Sequence, residues 1–341
     1  MSTARRALAL FLAFWLAGCS PALQPRGAAV GEPRLVQGAM IASDGATLPM
    51  RRWLPRDGEP RALIVALHGF NDYSNAFAAA GGWWAERGVA TYAYDQRGFG
   101  QAGERGIWAG QETMVADMLD AVAAVRARHP GLPVYLLGES MGGAVLLTAL
   151  AGRESLPDGV RGAILSAPAV WSRETMPFYQ RWALGAVGLT MPGLTLRPPK
   201  GLKIRASDNI PMLRALGRDP LVIKGTRVDA MRGLTDLMDR AMAATDDLRV
   251  PALVMYGENE QLIPPDPVKR ALGRLPETGP RVALYPQGWH LLLRDLQAET
   301  VWADVLAWIE DPAGPLPSGM DRNAKLAALR GQAVPSVAEG R

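Results

Sequence analysis

The hydrophobic positions fall into two rhythms that alternate along the chain. Continuous apolar runs at 62–67, 89–94, 134–137, 162–165, 252–256 and 282–285 predict strands buried on both faces. Between them, Met114, Val115, Met118, Leu119, Val122 and Val125 recur near the 3.6-residue period, so 112–129 predicts an amphipathic helix. A helix ending over 83–87 is stopped by Gly88, and 301–309 reads as a closing helix. Asp44-Gly45 is a turn signal before the weak alternation of 48–53, which predicts an early hairpin. Strands alternating with helices predict an α/β chain with a doubly wound, mostly parallel sheet. One stretch breaks the alternation. Residues 171–245 are helical in pattern, broken by prolines and without a strand run. That is too long for a simple crossover, and it reads as a helical cap inserted between two sheet strands. The expected organisation is a leader over 1–18, a tether over 19–38, a core in two parts (39–170 and 246–311) around the cap (171–245), and a mobile tail over 312–341.

Composition adds bounds. The chain has 341 residues, 48% of them hydrophobic and 21% charged, which suits one large α/β body with an insertion. The net charge of +4 gives no nucleic-acid footprint. One cysteine, Cys19, excludes a disulfide within the chain and a cysteine zinc site. The three histidines, His68, His129 and His290, are not spaced as metal ligands, and no metal or organic cofactor is expected. The cap carries twelve Lys/Arg against six Asp/Glu, so the positive charge concentrates there, at Arg197, Lys200, Lys203 and Arg205 among others. The same residues suit an anionic membrane surface, a phosphate headgroup or a plain solvated face. Its apolar positions, including Trp182, Leu189, Met191 and Leu196, suit an acyl groove, a lipid surface or packing on the body.

The first twenty residues have their own logic. Arg5 and Arg6 precede an eleven-residue apolar stretch, too short to span a bilayer as a permanent helix. Small residues follow, as in a secretory signal. Leu16-Ala17-Gly18-Cys19 resembles the bacterial lipobox, which implies cleavage before Cys19 and acylation of that residue. Several acyl chains would hold the protein firmly to a membrane. Ser20, in place of an aspartate, leans by the same analogy towards the outer membrane, facing the periplasm.

The chemistry centres on Gly138-Glu139-Ser140-Met141-Gly142, which follows an apolar strand and precedes a small-residue helical pattern. Strand, G-x-S-x-G and helix in that order is the context of a nucleophile elbow. A serine nucleophile needs a base, an acid to orient it and donors for the oxyanion. In that fold the order is Ser, acid, His, and His290 is the one histidine after Ser140. It follows the strand at 282–285, at a carboxyl end of the sheet. For the acid, Glu260, Glu258 and Asp266 all follow the strand at 252–256, Asp266 at a helix start where an N-cap also explains it. The backbone N–H groups of Phe70 and Met141 are the candidate oxyanion donors. His68 shapes the Phe70 loop or packs. Gly98-Phe99-Gly100-Gln101-Ala102-Gly103 matches a dinucleotide fingerprint in letters, but Asp95-Gln96-Arg97 intervenes after the strand and no helix opens at once.

His68-Gly69-Phe70, Asp95-Gln96-Arg97-Gly98-Phe99-Gly100, the Ser140 pentapeptide with Gly143, and Gly288-Trp289-His290 with Arg294-Asp295 together resemble the α/β-hydrolase superfamily. Within it they resemble the monoacylglycerol lipase and lysophospholipase group, the serine aminopeptidase S33-like hydrolases. The similarity runs over 42–309. It implies an α/β-hydrolase fold with an inserted cap and a lipid ester substrate. It favours Glu260 as the acid, because the third position after the strand-ending glycine carries it in related enzymes. Two departures stand out. The acid is glutamate where aspartate is usual, and Gln101-Ala102-Gly103 follows Gly100 where a serine is common. Thioesterase, peptidase and short-ester esterase activities remain rivals, as does a non-catalytic lipid-binding lipoprotein. Chain length, headgroup and oligomeric state are left open by the residues.

Overall fold

A computed structural model describes residues 20–199, 201 and 203–321. The sheet begins as an antiparallel meander of β1 (Arg34–Val36), β2 (Ala39–Ile41) and β3 (Thr47–Trp53). The Asp44-Gly45 turn joins the last two, with Gly45 at φ +84°, where a side chain would be strained. Then follow β4 (Ala62–Leu67), α1 (Ala78–Ala85), β5 (Val89–Tyr94), α2 (Gln111–Arg128), β6 (Val134–Glu139), α3 (Met141–Leu150) and β7 (Val160–Ser166). The cap comprises α4 (Phe178–Thr190), β8 (Thr195–Leu196), α5 (Ile210–Arg218), β9 (Thr226–Arg227) and α6 (Val228–Ala244). The core resumes with β10 (Ala252–Gly257), α7 (Pro265–Arg274), β11 (Pro280–Tyr285) and α8 (Ala298–Glu310).

The strand order is β1-β2-β3-β5-β4-β6-β7-β10-β11, and every neighbouring pair from β5 onwards is parallel. The continuous apolar runs have their explanation here. Side chains alternate across a strand, and both faces of this sheet are covered. Leu63, Val65 and Leu67 of β4 join the apolar cluster that holds Met118 and Leu146, under α2 and α3. Ala62, Ile64 and Ala66 of the same strand join the cluster that holds Trp84 and Trp308, under α1 and α8. The doubly wound α/β-hydrolase architecture follows from these two cores.

Four details depart from the sequence pattern or refine it. The cap holds a two-stranded ribbon, β8 with β9, two residues long on each side and too short to leave a hydrophobic run. The stretch read as a tether is laid along the body over residues 21–33. Leu23 bridges Trp108, the Gln24 N–H donates to the Trp108 carbonyl at 3.0 Å, and Arg26 pairs with Asp117 at 3.0 Å and Asp120 at 2.5 Å. Buried Asp117 also holds Arg97, so Arg26 supplies a second cation to a buried acidic cluster, and a free linker would leave it under-neutralised. The tail expected to be mobile from 312 is packed through Asp321. Leu316 lies in the core, and the Ser318 hydroxyl donates to buried Asp304 at 2.5 Å. Residues 322–341 lie outside the described residues. In the Gly98–Gly103 loop, the Asp95 carboxylate takes the Ser74 and Gln101 N–H groups, and a Cβ on Gly100 would sit 2.2 Å from it. The glycine therefore serves a close approach within the protein, and the next helix starts only at Gln111.

Candidate active site

Ser140 stands between β6 and α3 with φ +53° and ψ −111°, a strained backbone for a residue with a side chain. Backbone bonds fix it from both directions. Its N–H donates to the Ser166 carbonyl at 2.9 Å, and its carbonyl accepts from Ala144 and Ala169 at 3.0 Å. The flanking glycines are required by contact. A Cβ on Gly138 would lie 2.5 Å from the Gly142 carbonyl, and one on Gly142 would lie 2.1 Å from the Leu67 carbonyl. The elbow is thus folded hard against the end of β4.

His290 follows β11 and is buried. Its Nδ1 lies 2.6 Å from Glu260 Oε2. The other Glu260 oxygen accepts from the N–H groups of Leu262 and Ile263, at 2.6 and 3.1 Å, so the carboxylate is held from both ends. Burial alone would raise the Glu260 pKa. The charge and hydrogen bond of His290, with the two amides, hold it below its ordinary value. Burial alone would lower His290. The charge and hydrogen bond of Glu260, with a smaller push from Glu139, lift it above the ordinary imidazole value. Among the three acids read from sequence, Glu260 is the one whose carboxylate reaches the imidazole. Asp266 stands in the first turn of α7.

The loop after β4 runs directly past the serine, with a hypothetical Cβ on Gly69 only 3.4 Å from the Ser140 Cβ. Phe70 follows Gly69 directly in this loop, and Met141 follows Ser140 at the start of α3. The Phe70 ring is wedged edge-on against Phe99, at 5.5 Å between centroids. His68 is fully buried beneath. Its Nδ1 faces the Gly69 carbonyl at 2.8 Å and its Nε2 accepts the Gln96 N–H at 3.0 Å. That pattern requires the neutral ring, and burial holds its pKa below the ordinary value. His68 therefore shapes the loop. His129 bonds the Tyr92 hydroxyl at 2.6 Å, at the end of α2.

One cluster was missed in the sequence. Arg294 Nη1 lies 2.8 Å from Asp72 Oδ2, and Nη2 lies 2.6 Å from Glu139 Oε1. Asp72 and Glu139 are buried, the Arg294 side chain is only 9% exposed, and all three line the cavity over Ser140. Burial raises the Glu139 pKa, with Arg294 opposing. Burial alone would lower the Arg294 pKa, but its two carboxylate partners lift it above the ordinary value. Glu139 Oε2 and Arg294 Nε have no protein partner among the described residues. The signals were one residue before the serine, two after Phe70 and one turn after His290, but none of the three types stands out at those places.

The cavity measures about 390 Å³ and is lined by Ser140, His290 and Phe70 on the core side. From the cap it is lined by Leu216 of α5 and by Leu234 and Met238 of α6, with Trp171 and Ala206 beside them. Its volume suits a small-molecule site, with apolar walls and a few polar groups. Among the described residues there is no group of three or more metal-ligating side chains. Cys19, Lys200 and the leader lie outside the described residues.

Comparison with known proteins agrees with this architecture. The chain is 28% identical to human monoglyceride lipase over 275 residues, which cover 79% of this chain and 89% of that one. It is 27% identical to a monoacylglycerol lipase of Mycolicibacterium smegmatis over 263 residues, covering 75% and 90%. Among solved structures, monoacylglycerol lipase of Paleococcus ferrophilus superposes with a TM-score of 0.63 at 22% identity, over 77% of this chain and 98% of that one. A soluble variant of Saccharomyces cerevisiae monoglyceride lipase gives 0.65 at 19%, over 83% and 95%. These two likenesses show the fold. The family model described as serine aminopeptidase, S33, matches residues 58–297, and the chain belongs to that family of α/β-hydrolases.

Proposed function

We propose that this protein is a membrane-tethered serine hydrolase that cleaves single-chain lipid esters of the monoacylglycerol or lysophospholipid type. His290 takes the proton of Ser140 as its oxygen attacks the ester carbonyl. The Phe70 and Met141 N–H groups hold the tetrahedral oxyanion. His290 then gives the proton to the departing alcohol and leaves an acyl-enzyme. It next takes a proton from water as the water oxygen bonds to the acyl carbon, and returns that proton to the Ser140 oxygen as the acyl–serine bond breaks and the carboxylic acid leaves. Glu260 orients the ring and stabilises the imidazolium between these transfers.

The carrying observation is the 2.6 Å bond from His290 Nδ1 to Glu260 Oε2, with the His290 ring lining the same cavity as Ser140. A lipid ester is supported by the apolar walls and by relatives named monoglyceride lipase, monoacylglycerol lipase and, in Bacillus subtilis, phospholipase. The lipobox-like Leu16-Ala17-Gly18-Cys19 supports an acylated Cys19 and a place in a bacterial envelope, on the outer membrane facing the periplasm. The test is a turnover panel of monoacylglycerols, lysophospholipids and short esters, with Ser140→Ala as control. Turnover of single-chain lipid esters at least tenfold above short esters, lost in the control, is expected. Equal or better turnover of short esters would overturn the lipid assignment, and turnover surviving in the control would overturn the mechanism.

A further inference from the structure

Three charged side chains line the cavity and have no part in the mechanism above. Asp72, Glu139 and Arg294 form one cluster, and each comes from a different segment of the site. Glu139 is the last residue of β6 and directly precedes Ser140. Asp72 lies two residues after Phe70, in the loop that follows β4. Arg294 closes the short 3₁₀ turn at Leu292–Arg294, four residues after His290. One guanidinium thus joins the serine turn, the Phe70 loop and the base loop, at 2.8 Å from Asp72 and 2.6 Å from Glu139.

These charges are enclosed, with side chains 9% exposed at Arg294 and Asp72 and 1% at Glu139. Taking ions out of water costs about as much as their attraction returns, and packed apolar side chains would stabilise the fold as well. Stability therefore explains the cluster poorly. A planar guanidinium has another use, because its donors point in fixed directions and hold two acceptors at a set separation.

The element held in this way is the turn that carries Phe70. The Asp72 N–H donates to the Gly69 carbonyl at 3.2 Å, so residues 69–72 close a turn with Phe70 and Asn71 at its centre. Asn71 has φ +65°, a left-handed backbone that a residue with a side chain keeps only when its surroundings hold it. The cap holds one side. The Asn71 side chain donates to the Thr226 hydroxyl at 2.7 Å, and its carbonyl accepts from Ile223 at 2.9 Å. Asp72 holds the other. Its Oδ1 accepts the Tyr73 N–H at 2.9 Å, and its Oδ2 faces Arg294. The turn meets the elbow with no side chain between them, since a Cβ on Gly69 would lie 3.4 Å from the Ser140 Cβ and 3.7 Å from Glu139 Oε1. Arg294 is itself fixed, its N–H bonded to the Leu291 carbonyl at 2.8 Å and its carbonyl to Asn209 Nδ2 at 3.0 Å. The turn therefore cannot slide along the elbow without breaking a buried ion pair.

We propose that Arg294 is a positioning residue for the hydrolysis, whose guanidinium locks the Phe70 turn against the Ser140 elbow through Asp72 and Glu139. This rests on the serine-hydrolase reading above, with the Phe70 N–H as an oxyanion donor. Such a donor acts chiefly in the transition state, so a slack turn costs kcat and spares KM.

The experiment measures kcat, KM and the thermal midpoint of the full chain on a water-soluble ester. It adds Ki for a trifluoromethyl ketone, which forms a tetrahedral adduct with a serine. Asp72→Asn leaves one oxygen to serve both Tyr73 and Arg294, and Arg294→Lys keeps the charge without the fork. These two leave an ion pair in the cluster, and they carry the test should Arg294→Met not fold. Asp304→Asn is the control, because it disturbs buried bonds to Tyr285 and Ser318 away from the cavity. The expected losses in kcat are about tenfold in Asp72→Asn and Arg294→Lys and about 10²-fold in Arg294→Met, with KM within threefold of the parent's. Ki for the ketone should rise in proportion to the loss in kcat/KM. Asp72→Asn with Arg294→Met should lose no more than Arg294→Met alone, because the two residues act through one contact. Asp304→Asn should lower the midpoint and leave kcat within twofold. Parent-like kcat in both Asp72→Asn and Arg294→Lys would overturn the proposal, as would losses confined to KM or a ketone Ki that does not move. An equal kcat loss in Asp304→Asn at the same drop in midpoint would assign the effect to stability and overturn it too. A parent chain that a fluorophosphonate does not label at Ser140 would fail the serine-hydrolase reading instead.

Discussion

Helices α3 and α4 are both short and rich in apolar residues, yet they have opposite fates. Nine of the ten residues of α3 are buried, against one of 13 in α4. The difference lies in what each is joined to. A strand of the central sheet and a glycine-spaced turn drive α3 into the core, with Gly142 in contact range of the Leu67 carbonyl. In contrast, α4 follows a proline and a loop, and it meets the body's own cap helix at Gly188, where a Cβ would lie 3.4 Å from Arg232. Composition therefore reports that a segment is apolar, and its connections decide what it is apolar against. On this account α3 belongs to the core that holds the serine turn, and α4 is an exposed element of the cap.

That division can be broken from the chemical side first. Ser140→Ala should lower ester turnover by about 10⁵- to 10⁶-fold while thermal unfolding stays close to the parent's, as read by kinetics and calorimetry on one preparation. Glu260→Gln should lower kcat by about 10⁴-fold, because the imidazole loses both orientation and the charge that stabilises its protonated form. Its pH profile carries a sign. Glu260 raises the His290 pKa above 6.5, and the base must be neutral, so parent activity falls as pH drops through that raised value. In Glu260→Gln the residual activity should persist to lower pH. A limb that stays in place or moves up would separate Glu260 from His290.

Smaller effects sharpen the contrast between the helices. Gly142→Ala forces a methyl to within 2.1 Å of the Leu67 carbonyl, so denaturant unfolding should show about 1–3 kcal/mol of lost stability, with turnover lost alongside. Leu189→Asp on α4 should change stability by no more than about 0.5 kcal/mol and leave turnover of a water-soluble ester unaltered. A loss of stability like that of Gly142→Ala would show that α4 is packed in solution and would erase the difference between the two helices.

How much could be read beforehand follows the same divide. The central strands announced themselves because burial on both faces leaves unbroken apolar runs, as in β4 and β5, buried along their whole length. The elbow was legible because its glycines answer a steric demand that few other patterns meet. The acid was not settled by spacing. Glu258, Glu260 and Asp266 lie within nine residues, and a single distance to His290 distinguishes Glu260 among them. Asp72, Glu139 and Arg294 were silent because ion pairs across 155 residues or more leave no local pattern. The strap was misleading for a related reason. Its proline- and glycine-rich residues suit a linker, while the backbone bonds at Ala22 and Gln24 and the charge on Arg26 tie it down. Backbone bonds of that kind are invisible in side-chain composition.

The central claim is that Ser140 is a nucleophile primed by His290 and Glu260. A fluorophosphonate reacts with such a serine, and peptide mass spectrometry of the labelled full chain locates the adduct. The account predicts one adduct, on the peptide containing Ser140, with labelling slowed at least a hundredfold in His290→Ala. A folded chain that takes up no label, or takes it up on another serine, would contradict it.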